Sequence, residues 1–295
     1  MPPTSHYRLP LMVLLAITLG GCSDAPAESS PTRPAAPRSE AATTEAVAQP
    51  SAEPSSATGQ VAARPQLPRG DDPVKLYPAD FTTKIDNPYS PMAPRTRWTY
   101  REIDEEGKQL KVVVIVTNQT KEIANGITAR VVRDTVTEAG ELVEDTFDWY
   151  AQDNDGNVWY LGEDTAEFEN GKIATKSGSW EAGVDGALAG IIMPGDPRAG
   201  LRYRQEYYKG EAEDNGGVLS TREMADVPAG HYDNVLLTKD TNAIEPNVLE
   251  YKLYAKGVGP VLALGISGGV GREELLNVDR APSTAGTGPL GTPDS

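Results

Sequence analysis

The chain has 295 residues, enough for one or two domains, with 43 acidic against 27 basic side chains and a formal net charge of −16. So acidic a chain is repelled by nucleic acid and anionic surfaces, and a phosphate-backbone partner, which needs clustered Lys and Arg, is excluded. The one cysteine rules out an internal disulfide, a staple that a domain of roughly 200 residues does not need to build its core.

The amino terminus reads as a targeting signal. Arg8 precedes the apolar run LPLMVLLAITL over residues 9–19, which is short of the roughly 20 residues that span a bilayer. Small residues follow, then a cysteine: Leu19-Gly20-Gly21-Cys22 resembles the lipobox of bacterial lipoproteins. The resemblance implies a signal peptide over residues 1–21, cleavage before Cys22, and acylation of that cysteine. The membrane is then a partner through the amino-terminal lipid, and the rest of the chain is exported and extracytoplasmic. Residues 22–72, rich in Ala, Pro, Ser and Glu and poor in aromatics, cannot bury enough apolar surface to offset their ordering entropy. They are expected to form a disordered tether spanning about 40 Å as a coil and about 150 Å when extended.

Residues 73–280 form the expected folded unit, all-β and antiparallel. Residues 96–103 alternate, with Trp98 and Tyr100 on one face. Residues 111–117 are rich in Val and Ile, and 127–136 and 142–151 continue the theme. Asp153-Asn154-Asp155-Gly156-Asn157 signals a hairpin into a strand over 158–161. Further strands are expected over 201–208, 218–227, 232–239, 249–255 and 261–266, the last pairing with 273–278. Linkers this short preclude crossover helices and so require antiparallel pairing, in a sandwich or a strongly curved barrel-like sheet. The glycine-rich stretch 178–200 breaks the rhythm and reads as a long loop covering a cavity. Trp180, Leu188, Ile191, Ile192 and Met193 are its candidate ligand-binding residues. Residues 281–295 read as a disordered tail.

Chemistry is sparse. After cleavage His231 is the sole histidine, so a zinc site of several His and Cys ligands is impossible. Gly265-x-Ser267-x-Gly269 lacks the strand-to-helix turn and the later histidine of a hydrolase nucleophile elbow. Asp153, Asp155 and Asn157 offer alternating oxygens of the kind calcium takes. The sixth and twelfth positions hold Val158 and Asp164 instead of Gly and Glu, so a hairpin turn is expected, with no metal and no cofactor. The acidic runs Asp134 to Asp148 and Glu163 to Glu169 read as solvated faces. They would serve a glycosidase only if two carboxylates stood at suitable separation.

The segments Val227-Pro228-Ala229-Gly230-His231-Tyr232 and Tyr254-Ala255-Lys256-Gly257-Val258-Gly259-Pro260-Val261, with Asn87-Pro88-Tyr89, Trp98 and Tyr100, resemble a signature of β-rich bacterial secreted and lipoproteins of unassigned function. That resemblance implies a fold and brings no catalytic residue. The expected function is a membrane-tethered lipoprotein binding an apolar small ligand, a glycan or an envelope protein, more a binder than an enzyme. A structural envelope lipoprotein without a small ligand, and a carboxylate-dependent hydrolase acting on glycans, remain as alternatives.

Overall fold

The computed structural model describes residues 66–269 and 271–292. Cys22, the signal peptide and the tether up to residue 65 lie outside these residues. Among the described residues a 3-10 turn, Pro78–Asp80, precedes sixteen strands. The first eight are β1 (Phe81–Thr82), β2 (Thr96–Ile103), β3 (Gln109–Glu122), β4 (Thr128–Glu138), β5 (Glu141–Asp153), β6 (Val158–Glu169), β7 (Lys172–Thr175) and β8 (Trp180–Glu181). The others are β9 (Leu188–Met193), β10 (Arg202–Arg204), β11 (Glu206–Tyr207), β12 (Asp214–Val227), β13 (Gly230–Asn242), β14 (Leu249–Ala255), β15 (Gly259–Ser267) and β16 (Arg272–Arg280).

Pairing is antiparallel throughout, and the sheet runs β10-β12-β13-β14-β15-β16-β2-β3-β4-β5-β6-β9-β11. Two meanders, β2 to β6 and β12 to β16, are joined where β16 pairs with β2, so distant parts of the chain share a ladder. Leu275 stands opposite Tyr100, and Val278 opposite Trp98. Irregularities in register recur, as between Val116 and Thr120 and between Leu253 and Tyr254. Such bulges bend a strand and increase its twist, which lets a long sheet curl. Its two ends approach each other: Gln205 N donates to Asp214 O at 2.8 Å, and Arg204 Nε donates to Ala189 O at 3.1 Å. Gly190 permits that approach, because a Cβ there would stand 2.2 Å from Gln205 O. Of the two expected arrangements, the nearly closed barrel-like sheet is the one present.

Strands alternate side chains between faces, and the inward set forms one core: Trp98 and Tyr100 on β2, Val112, Val114 and Val116 on β3, Val132 and Val136 on β4, and Tyr150 and Tyr160 on β5 and β6. The stretch 178–200, expected as an unstructured loop, supplies β8 and β9. Its apolar run pairs with β6, Ile191 opposite Trp159 and Gly190 opposite Tyr160. Ladder pairing satisfies backbone groups that a buried loop would have left bare.

Ordered packing also reaches beyond residues 73–280. Pro68 O accepts from Arg204 N at 2.6 Å, and Gly70 O and Asp72 O accept from Arg204 Nη1 at 2.6 and 2.8 Å. At the other end, residues 281–292, expected as part of a disordered tail, lie against the outer face of β4 and β5. Arg133 donates to Gly288 O, Pro289 O and Thr292 O at 3.2, 3.1 and 2.9 Å. Its other hydrogen bonds run to both carboxylate oxygens of Asp145, at 2.8 and 2.6 Å.

Candidate binding site

A carboxylate at a core position of a strand must be buried, whatever its own preference for water. Asp134 shares a face of β4 with Val132 and Val136, and Glu144 and Asp148 share one of β5 with Thr146 and Tyr150. Register sets Val132 opposite Asp148, Asp134 opposite Thr146 and Val136 opposite Glu144. Asp148 in turn faces Glu163 on β6. These acids, expected on solvated faces, are buried in the barrel, with Asp134 and Asp148 each 2% exposed. Glu206, Asp214, Asp240, Glu250 and Glu273 are buried as well. Lys252, the cation among them, has its Nζ 2.8 Å from Asp240 and 3.1 Å from Glu250.

The inner seam is held by aromatic donors. Tyr160 OH donates to Asp148 Oδ1 at 2.8 Å and its ring stacks on Tyr150, 4.9 Å between centroids. Trp180 meets Tyr160 edge-on and donates its Nε1–H to Glu206 Oε2 at 2.9 Å. Burial pushes the Asp148 carboxyl up to about 7, against the Tyr160 hydrogen bond that favours its charge. Burial also raises Asp134 well above the ordinary carboxylate range, and the neighbouring Asp148, Glu144 and Glu273 add to it. Glu163, Asp214 and Glu273 are raised for the same leading reason. Lys252 is pulled down by burial but held above its ordinary value by the facing Asp240 and Glu250.

Asp148 also lines a small pocket with Trp98, Tyr100, Val114, Val132 and Tyr150, and with Ser90-Pro91-Met92 and Gly259-Pro260 at the rim. Its walls are largely apolar. The space open to the centre of a water-sized sphere is about 20 Å³, enough for one small polar group. Ser90 Oγ and both oxygens of Asp134 are buried and have no hydrogen-bond partner among the described residues. Of the signature quoted from the sequence, the Asn87-Pro88-Tyr89, Trp98, Tyr100 and 254–261 pieces meet around this pocket, and the 227–232 piece does not line it. Trp98 Nε1 donates to Val258 O at 2.7 Å, Tyr100 OH to Pro260 O at 3.1 Å, and Gly257 N to Pro88 O at 2.7 Å. Asn87 fastens the rim below, donating from Nδ2 to Gly156 O and Pro194 O at 2.9 and 3.1 Å.

The residues proposed from sequence are dispersed. Ile191, Ile192 and Met193 are buried in the core, Leu188 is half-buried, and none of them lines the Asp148 pocket. Trp180 alone joins the seam, through Tyr160 and Glu206. Asp153 spends its oxygens on Asp155 N, Asn157 N, Asn157 Nδ2 and Trp159 Nε1, at 2.7 to 2.9 Å. The Asp153, Asp155 and Asn157 loop is thus a hydrogen-bonded turn. Among the described residues no three His, Cys, Asp or Glu side chains are grouped to hold a metal ion. His231 sits exposed at the β12–β13 turn, Nδ1 2.7 Å from Asp226 and Nε2 3.4 Å from Asp233. Ser267 Oγ donates to Asn247 O at 2.8 Å and faces no histidine.

No family model matches the chain, and no curated protein is significantly similar to it. Among solved structures, a provisionally named lipoprotein of Parabacteroides distasonis ATCC 8503 is similar at 12% identity, with a TM-score of 0.33, over 65% of this chain and 99% of that one.

Proposed function

We propose that this chain is a lipid-anchored, extracytoplasmic binding protein whose barrel takes the cationic head of a small organic ligand in the pocket over Asp148. The observation that carries the reading is a single carboxylate, with a Ser90 hydroxyl that has no partner among the described residues, in an otherwise apolar pocket lined by Trp98, Tyr100 and Tyr150. Aromatic rings and a buried carboxylate both favour a cation, and each is stronger where water is excluded. A primary ammonium fits the small space, offers three donors, and supplies the charge that an ionised Asp148 needs. The separation of the interior acids into groups too dispersed to chelate favours an organic cation over a metal ion.

The test is calorimetric titration of the mature chain at pH 8 with n-butylammonium and with its neutral analogue n-butanol. Saturable binding of the amine alone, weakened at least tenfold by Asp148→Asn, is expected. Equal binding of amine and alcohol, or an amine affinity indifferent to Asp148→Asn, would contradict the reading.

A further inference from the structure

The barrel's outer face carries a feature of the opposite sign. On neighbouring strands, Arg202 of β10 stands opposite Gly217 of β12, and Gly217 opposite Lys239 of β13. The middle position has no side chain, so a gap opens between two cations. A Cβ at Gly217 would meet the Lys239 stem at 3.4 Å, which shows how closely that side chain borders the gap. Arg69, from the segment before the first strand, closes one end. The groove measures about 360 Å³ by the same water-sized sphere and is lined further by Tyr203, Asn215, Gly216, Thr241, Asn242 and Ala243.

None of the ten lining residues is acidic, in a chain whose formal charge is −16. Among the described residues no carboxylate lies within ion-pair distance of Arg69, Arg202 or Lys239. Asp72, three residues after Arg69, spends Oδ2 on the backbone N–H of Arg69 at 3.0 Å. Asn242 Oδ1 accepts from Ile244 N and Glu245 N at 2.7 and 3.1 Å, which leaves its amino group to donate elsewhere.

We infer that this groove is an anion site, separate from the Asp148 pocket, that takes a phosphate-type oxyanion. Guanidinium forks match the oxygens of such a group, and the lysine adds a point charge. A phosphate dianion offsets two of the three cations and brings more acceptor oxygens than a carboxylate, while the phosphodiester of a lipid head group offsets one. The field of the acidic chain repels anions at long range. At physiological salt that repulsion is screened beyond about 8 Å, so the three local charges dominate at the groove. A free phosphate-bearing solute and the head group of an anionic lipid share this chemistry.

The experiment uses residues 22–295 with Cys22→Ser, so that no acyl chain brings the protein to lipid. Inorganic phosphate is titrated at physiological salt, where the chain's overall repulsion is screened, and vesicles of phosphatidylglycerol and of phosphatidylcholine are tested by co-sedimentation. Saturable phosphate binding is expected, at least tenfold weaker in Arg202→Gln/Lys239→Gln and unchanged in Asp148→Asn. A second variant, Gly217→Val, fills the gap without removing charge and is expected to weaken binding as well. Phosphate binding without vesicle binding assigns the site to a soluble phosphate. Binding to phosphatidylglycerol vesicles that phosphate competes away assigns it to a lipid head group. No binding of either probe, or binding that survives both folded variants, would overturn the inference.

Discussion

Asp148 shows what one residue's position dictates. Its carboxyl ionises near 7 in the fold against about 3.9 in an unfolded chain. Between those values the folded state holds a proton that the unfolded state has lost, so stability falls as pH rises through that window. At the rate of 1.36 kcal/mol per unit, the loss from this one group is at most about 4 kcal/mol. Asp148→Asn is therefore expected to raise the melting temperature at pH 8, leave it nearly unchanged at pH 4, and flatten the profile between. A variant that melts lower than the parent at pH 8 would contradict this. The position was partly legible in sequence: Asp134 has the parity of Val132 and Val136, and Asp148 that of Tyr150. Reading the acids as a charge run, which is usually solvated, hides the parity that Val132 and Val136 assign to Asp134; on β5 the apolar residues Phe147, Trp149 and Ala151 have the other parity and speak against Asp148 as a core position.

At the scale of elements, strand cores declared themselves and their connections did not. The strands expected over residues 96–103 and 249–255 have the bounds of β2 and β14, because alternation and flanking turns agree there. β9 reads as loop from sequence alone, since glycines mark turns and the apolar run between them is short. The segment 281–292 belongs to a stretch, 281–295, that reads as a tail from sequence alone because it offers almost no apolar surface. It is held instead by the backbone carbonyls that Arg133 collects and by Gly291 N donating to Asp145 Oδ2 at 2.7 Å. Long-range hydrogen bonds of that kind leave no periodicity. Arg133→Met is expected to cost about 3–5 kcal/mol, because it strands a buried Asp145 carboxylate. Restoring neutrality with Arg133→Met/Asp145→Leu should recover part of that loss in urea unfolding. A single variant within 1 kcal/mol of the parent would show that the latch contributes little.

For the whole molecule, the sequence announced an acidic all-β body on a tether but not where its charge would lie. The seam of interior acids arises only when β4, β5, β6 and β12 to β16 curl around a common axis, and no local pattern encodes that closure. The pocket residues come from positions as far apart as Ser90 and Pro260, so their meeting was equally invisible. The anchoring proposal belongs to this scale too. Labelled palmitate should enter the chain in its native host and fail to enter Cys22→Ser, and label persisting in the variant would remove the anchor.

The most direct test of a cation-binding barrel is the affinity of the mature chain for n-butylammonium, measured from pH 5 to pH 9. The amine stays charged across that range, so any change reports on the protein. Affinity should rise about tenfold per pH unit and level off above the Asp148 ionisation near 7. An affinity that is flat across the range, or greater at pH 5 than at pH 9, would contradict the account.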